Sequence, residues 1–324
     1  MDATNVAVAC QGGGSHTAFT AGALRELLPA LDASDDHRLV GLSGTSGGAL
    51  SALAAWYGLQ TGGPERARDL LARAWADLAA DDPLDRWANA WTVAGSRLVN
   101  GGAAVAEISP YHNPAARWGE RRLRDLLDSL VDFDALPRLA AREGSPALQV
   151  GTVDINGGCF ETFDATRLTL DATLASMALP ELFRAVAMNG HYHWDGLFSQ
   201  NPPIRDLMEV PPDRKPEELW VVQINPQERE GRPTSLLEIA DRRNELSGNL
   251  SLNQELRFVE RVNEWVEAGY LPEERFVHTD VHRVALDGEF GLSSKLDRSP
   301  RFVERLLAAG EEEARAFLDG HEGV

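Results

Sequence analysis

The stretch Leu39-Val40-Gly41-Leu42-Ser43-Gly44-Thr45-Ser46-Gly47-Gly48-Ala49-Leu50 decides how the rest of the chain is read. Apolar residues run into a tight turn of small residues, and an Ala/Leu-rich run from Ala49 to Tyr57 reads as a helix. Strand, small-residue turn and helix together make the context in which a G-x-S-x-G serine is held out at a sharp elbow. Such a serine leaves no room for side chains beside it, and Gly44 and Gly48 occupy those places. The N-terminus of the helix would aim amide donors and partial positive charge at an anion near the Ser46 oxygen. A phosphate-binding turn or a plain strand–helix connection has the same local pattern, so the choice falls to the rest of the chain.

Upstream, Asn5 to Cys10 reads as a buried strand and Ala18 to Leu28 as a helix stopped by Pro29. Between them lies Gln11-Gly12-Gly13-Gly14-Ser15-His16-Thr17, whose three glycines free backbone N–H groups to converge on an anion. A P-loop would need Gly-Lys-Ser/Thr here, and there is no lysine. A dinucleotide fingerprint would need glycine at position 17, where Thr17 stands. Both fail, which favours an oxyanion hole built on Gly12, Gly13 and Gly14 over a purely structural turn.

Composition narrows the classes. The 324 residues allow one large α/β domain or two ordinary ones, and a hydrophobic fraction of 43% supports a sizeable core. Net charge is −19, and lysine occurs only at Lys215 and Lys295. Such acidity argues against nucleic acid as a partner, and against electrostatic adhesion to anionic membranes beyond a transient surface contact. Acid excess with scarce lysine also fits a halophilic source, where salt screens the self-repulsion. Cys10 and Cys159 stand in apolar, strand-like settings and read as two buried, reduced thiols. The first residues carry no basic, apolar leader and no window offers ~18 uninterrupted apolar residues, so a cytoplasmic chain is expected.

Downstream, residues 61–141 read as a helical insertion in one domain covering 1–324. Amphipathic stretches run from Ala67 to Leu78 and from Glu120 to Leu130, with turns at Asp82-Pro83 and Gly101-Gly102. Trp75, Trp87, Trp91 and Trp118 in this span are taken as core by default, an apolar acyl groove or lid being the alternative. Strands are expected at Leu148–Asn156, Cys159–Phe163, Leu219–Ile224 and Phe276–Leu286. A short helix is expected around Thr173–Pro180, and longer ones over Leu236–Ala268 and Pro300–Leu318.

A serine nucleophile needs a base. None of the eight histidines stands in a setting that marks it as a triad member, whereas Asp195 ends a strand with Gly196 behind it. Parallel sheets place ligand sites at the C-terminal ends of their strands, so Ser46 and Asp195 could meet there. A carboxylate can serve such a hydroxyl only where water is excluded and an oxyanion hole carries much of the stabilisation.

With these residues in place, the chain resembles the patatin-like phospholipases. The resemblance rests on Gly12-Gly13-Gly14, the Gly44-Thr45-Ser46-Gly47-Gly48 elbow and Asp195-Gly196, in that order and approximate spacing. It extends through Ala175-Ser176-Met177-Ala178-Leu179-Pro180-Glu181-Leu182-Phe183, Asn201-Pro202-Pro203 and Ser294-Lys295-Leu296. It implies a three-layer α/β/α fold with a mostly parallel central sheet, and a Ser–Asp dyad hydrolase of fatty-acyl esters of lipids or phospholipids. Ser46 would be the acylated nucleophile, Asp195 its base and the Gly12–Gly14 amides the oxyanion hole, with no metal or organic cofactor. Two positions depart from the pattern. His16-Thr17 stand where Arg/Lys-Gly is usual, removing a fixed positive charge, and Leu197 follows Asp195-Gly196.

Two rivals differ in class. His191, His193 and Asp195 form an H-x-H-x-D run on one strand face, a metal-ligand geometry resembling part of a metallo-β-lactamase-fold site. Such a run would continue with histidine at position 196, where Gly196 stands. A catalytically silent binding protein of the same fold is the other rival, and an intact Ser46, Asp195 and triple glycine argue against it. An ordinary α/β-hydrolase would place its serine after several strands rather than the second.

Overall fold

The computed structural model describes residues 3–321 apart from 83, 84, 88, 91, 95–107, 181, 273 and 289–291. The turn at Gly101-Gly102, Pro83 and Trp91 therefore lie outside the described residues. β1 (Thr4–Cys10) leads into α1 (Ala18–Ala33), β2 (His37–Gly44) and α2 (Gly47–Leu78). Then follow α3 (Pro114–Leu130), β3 (Ala147–Asp154), β4 (Cys159–Asp164) and α4 (Leu170–Ser176). β5 (Val186–Met188), β6 (His191–Asp195), β7 (Glu218–Gln223), α5 (Leu236–Glu267), β8 (Asp280–Ala285) and α6 (Pro300–Asp319) complete the chain.

The sheet order is β5-β6-β3-β2-β1-β7-β8, with β4 pairing β3 as a branch. The run from β3 through β2, β1 and β7 to β8 is parallel, while β6, β5 and β4 add antiparallel pairs on the β3 side. Alternation along β1 explains the layers. Val6, Val8 and Cys10 face the larger core with Phe19, Leu24, Trp56 and Val303, whereas Ala7 and Ala9 face the second with Leu252, Leu256 and Val259. Helices α1, α2 and α6 thus cover one face and α5 the other, a three-layer α/β/α arrangement.

Three expectations need correcting. Pro29 does not stop α1, which runs on to Ala33. The missing proline N–H forfeits one helical bond, yet Leu27, Leu28 and Leu31 on either side are buried in the core and hold the last turn in register. The helix after the elbow runs from Gly47 to Leu78, broken at Gly63 (φ 77°) before Pro64. Cys10 is buried, but Cys159 is exposed because β4 is an edge branch with only one strand beside it. Burial pushes the Cys10 thiol up to about 12, so it stays protonated and inert.

Candidate active site

The turn between β2 and α2 holds Ser46 at φ 59° and ψ −131°, a left-handed conformation rare for a residue with a side chain. Strain of this kind, on the order of 1–3 kcal/mol, persists only where neighbours impose it. The neighbours here are specific. Ser46 N–H donates to Ser176 Oγ at 3.0 Å, and that buried hydroxyl donates on to Gly151 O at 2.7 Å. Thr45 Oγ1 donates to Gln200 O at 2.7 Å, and Gly48 N–H closes the turn on Thr45 O at 2.9 Å. A Cβ at Gly44 would strike the Gly48 carbonyl, and one at Gly48 the Cys10 carbonyl, so the elbow packs backbone on backbone.

Asp195 reaches the serine from the other side of β3. It ends β6 opposite Thr152, its N–H bonds Ala178 O at 3.1 Å, and it is 1% exposed. A Cβ at Gly196 would lie 2.8 Å from Gly151 O, so the chain can turn tightly there only with glycine. The carboxylate accepts from Leu197 N–H at 2.9 Å and faces the Ser46 side chain. Burial raises its pKa to about 7, with Ser46 and Leu197 N–H pulling the other way.

The glycine loop approaches Ser46 closely: a Cβ on Gly12 would stand 2.7 Å from Ser46 Cβ. Yet the three amides are not equivalent. Gly12 N–H already donates to Asn201 Oδ1 at 2.6 Å, while its carbonyl accepts from Asn201 Nδ2 and Asn225 Nδ2 at 3.1 and 2.9 Å. Gly12 is thereby a clamp. Gly13 and Gly14, the latter at φ 62°, follow with amides that bond no other group among the described residues. Thr17 Oγ1 donates to Gly14 O at 2.5 Å and fixes the far end of the loop. Gln11 ties the near end: its Oε1 accepts from Ile224 and Asn225 N–H, and its Nε2 donates to Asn249 at 2.8 Å.

His16 cannot take over the positive charge that the loop lacks. Burial, with Lys295 nearby, lowers its pKa to about 3, and its Nε2 sits 2.8 Å from Ser294 Oγ. The cation beside the loop is Lys295, whose carbonyl would lie 2.5 Å from a Cβ on Gly14. Its Nζ bonds Asp241 at 2.9 Å and Glu245 at 2.8 Å. Neither the Asn201–Gly12 clamp nor the Ser176 support was assigned from sequence. Both residues lay in stretches that carried the resemblance, and that was their only signal.

Ser46, Gly13, Gly14 and Asp195 open into a cavity of about 520 Å³. Its apolar walls include Trp75, Leu78, Trp118, Leu123, Met177 and Phe183, and its polar end holds Asn225, Asp241, Glu245 and Lys295. Of the tryptophans assigned to the core, Trp75 is buried and also lines this cavity, whereas Trp118 and Trp87 are 41% and 61% exposed. Amphipathic α3 presents Trp118 to the cavity mouth instead of to the core.

The H-x-H-x-D side chains do not converge. His191 Nδ1 bonds Asp154 at 2.5 Å, His193 lies buried with its Nδ1 3.4 Å from Thr152 Oγ1, and Asp195 faces Ser46. The donor groups that do come together among the described residues lie elsewhere.

A family model described as Patatin-like phospholipase matches residues 8–208, a span that includes Gly12–Gly14, Ser46, Ser176, Asp195 and Asn201. Solved structures similar to this chain include VipD from Legionella pneumophila. The TM-score is 0.48 at 12% identity, covering 99% of this chain and 67% of that one. Another is a chain of the heterodimeric ExoU–SpcU complex from the type III secretion system of Pseudomonas aeruginosa. There the TM-score is 0.36 at 16% identity, covering 97% of this chain and 52% of that one. Comparison with curated proteins gives no match.

Proposed function

The chain belongs to the patatin-like phospholipase family, and from that premise we propose that it hydrolyses fatty-acyl esters of lipids through a Ser46–Asp195 dyad. Ser46 Oγ attacks the ester carbonyl as Asp195 takes the hydroxyl proton. The oxyanion that forms is met by the amides of Gly13 and Gly14, with Gly12 holding the loop instead of donating. Collapse of the tetrahedral intermediate breaks the bond to the alcohol, which leaves with the proton from Asp195. Water then attacks the acyl-serine, Asp195 again taking a proton and returning it to Ser46 as the fatty acid departs.

The observation that carries this reading is a buried carboxylate, Asp195, facing Ser46 in the same cavity, with its pKa raised by burial to about 7. A base matched to working pH combines enough ionised form with enough driving force for proton transfer. The apolar cavity supports an acyl chain as the bound group, and the exposed Trp118 and Leu182 at its mouth support a transient contact with a lipid surface.

Ser46→Ala should abolish both fluorophosphonate labelling and the hydrolysis of p-nitrophenyl esters and phospholipids, with circular dichroism unchanged. The assay is best run at low and at molar salt, because the net charge of −19 is screened in the latter. Full activity in a folded Ser46→Ala protein would remove Ser46 from the mechanism.

A further inference from the structure

Three of the chain's eight histidines gather around one carboxylate at the end of the sheet opposite Ser46. His37 opens β2, Glu218 opens β7, His282 lies early in β8, and His321 follows the last turn of α6. His321 Nε2 lies 2.9 Å from Glu218 Oε2, His37 Nε2 3.5 Å from Oε1, and His282 Nε2 3.9 Å from Oε2. Donor atoms of His37, Glu218 and His321 all fall within 4.8 Å of one another. Two ligands at ordinary Zn–N or Zn–O distances on a tetrahedral zinc stand about 3.4 Å apart, so modest rotations would close that set of three, and His282, which lies outside it, would swing in as the fourth.

Glu218 Oε2 is hydrogen-bonded as it stands, by His321 Nε2 as well as by Trp220, and the surroundings also supply what a metal site needs. Trp220 Nε1 already donates to Glu218 Oε2 at 2.7 Å, leaving Oε1 to serve as a ligand. His37 Nδ1 lies 3.5 Å from Ser34 Oγ, a partner for the ring nitrogen that would not ligate. Phe317 stacks on His321 at 5.0 Å, with Trp220 and His282 edge-on to the same ring at 5.4 and 4.7 Å. Ring contacts of this kind fix the planes of the imidazoles. Imidazole nitrogens with one carboxylate form the donor set that suits zinc.

We propose that His37, Glu218, His282 and His321 form a structural zinc site that ties the end of α6 to the starts of β2, β7 and β8. It lies the length of β2 from the elbow, roughly 25 Å at about 3.3 Å per residue, and takes no part in ester hydrolysis.

The test is titration of the chelator-treated full chain with Zn²⁺ by calorimetry and with Co²⁺ by visible absorption, together with thermal unfolding. The expected result is one ion per chain, a tetrahedral Co²⁺ spectrum and a melting temperature raised by Zn²⁺. His37→Gln, His282→Gln and His321→Gln should each weaken binding at least about tenfold. His278→Gln, which alters an exposed histidine paired with Glu267 and Asp280, should not. Circular dichroism checks folding, and His282→Gln and His321→Gln lie near the surface if His37→Gln does not fold. No stoichiometric binding, or binding unaffected by His282→Gln and His321→Gln, would reduce the cluster to a hydrogen-bonded staple and overturn the proposal. Ester hydrolysis by the three variants reports on the dyad separately.

Discussion

At the scale of single residues, the decisive value is the pKa of Asp195. Folding buries the carboxyl and lifts it from 3.8 to about 7. The sign follows: the fold favours the protonated form, and the resulting stability, complete below pH ~4, is lost as pH rises through about 7. Asp195→Asn should therefore lose 10²–10⁴-fold in kcat/KM. In unfolding measurements at pH 8 it should be the more stable protein, by at most about 4 kcal/mol. The wild-type kcat/KM should rise with pH through a limb near 7, where a histidine would also titrate. His16 is not its source, since its pKa lies at about 3, and His16→Gln should keep the limb. An Asp195→Asn variant with near-normal turnover would break the dyad. Ser46 and Asp195 were legible because an elbow and a strand-ending Asp-Gly are local patterns. The capture of Gly12 N–H was not, because Asn201 stands 189 residues away. The neutrality of His16 was equally hidden, since Lys295 and Phe302, which crowd it, arrive from the far end of the chain.

At the scale of elements, the contact between α1 and α6 shows what periodicity conveys and what it omits. Both helices were legible from their apolar spacing, but not the depth to which they interlock. A Cβ on Gly22 would strike the Leu307 carbonyl, and one on Gly310 the carbonyl of Phe19. Two glycines thus let the backbones touch, and α1 is pressed against α6 just before its Pro29 turn. Gly310→Val should force the helices apart and cost about 1–3 kcal/mol or more, read as a lower midpoint in urea. A change within about 0.5 kcal/mol would show that the helices slide freely. Boundaries were read less well than elements. Pro29 stops nothing because packing outweighs one lost hydrogen bond, and the actual break at Gly63-Pro64 lay beyond the stretch read as helix after the elbow.

At the scale of the whole molecule, the family match ends at residue 208, yet the sheet does not. β1 lies between β2 and β7, and β7 pairs with β8, so two parallel strands of the central run come from beyond the match. Asn225, which bonds Gly12 O, and Lys295, which packs on Gly14, come from there too. A chain ending at residue 210 should accordingly give no soluble, fluorophosphonate-reactive protein, as gel-based labelling of the soluble fraction would show. Labelling at the level of the full chain would mean that β7 and α5 are dispensable. The distance in sequence also has a meaning in time. Ser46 leaves the ribosome 249 residues ahead of Lys295 (295 − 46 = 249), an interval of roughly 10–50 s at ordinary rates of synthesis. Throughout that interval the glycine loop lacks Lys295, which packs on Gly14, so the elbow emerges long before the loop beside it is held. If Ser46 acts as proposed, a fragment released before Lys295 has emerged should therefore show no esterase activity.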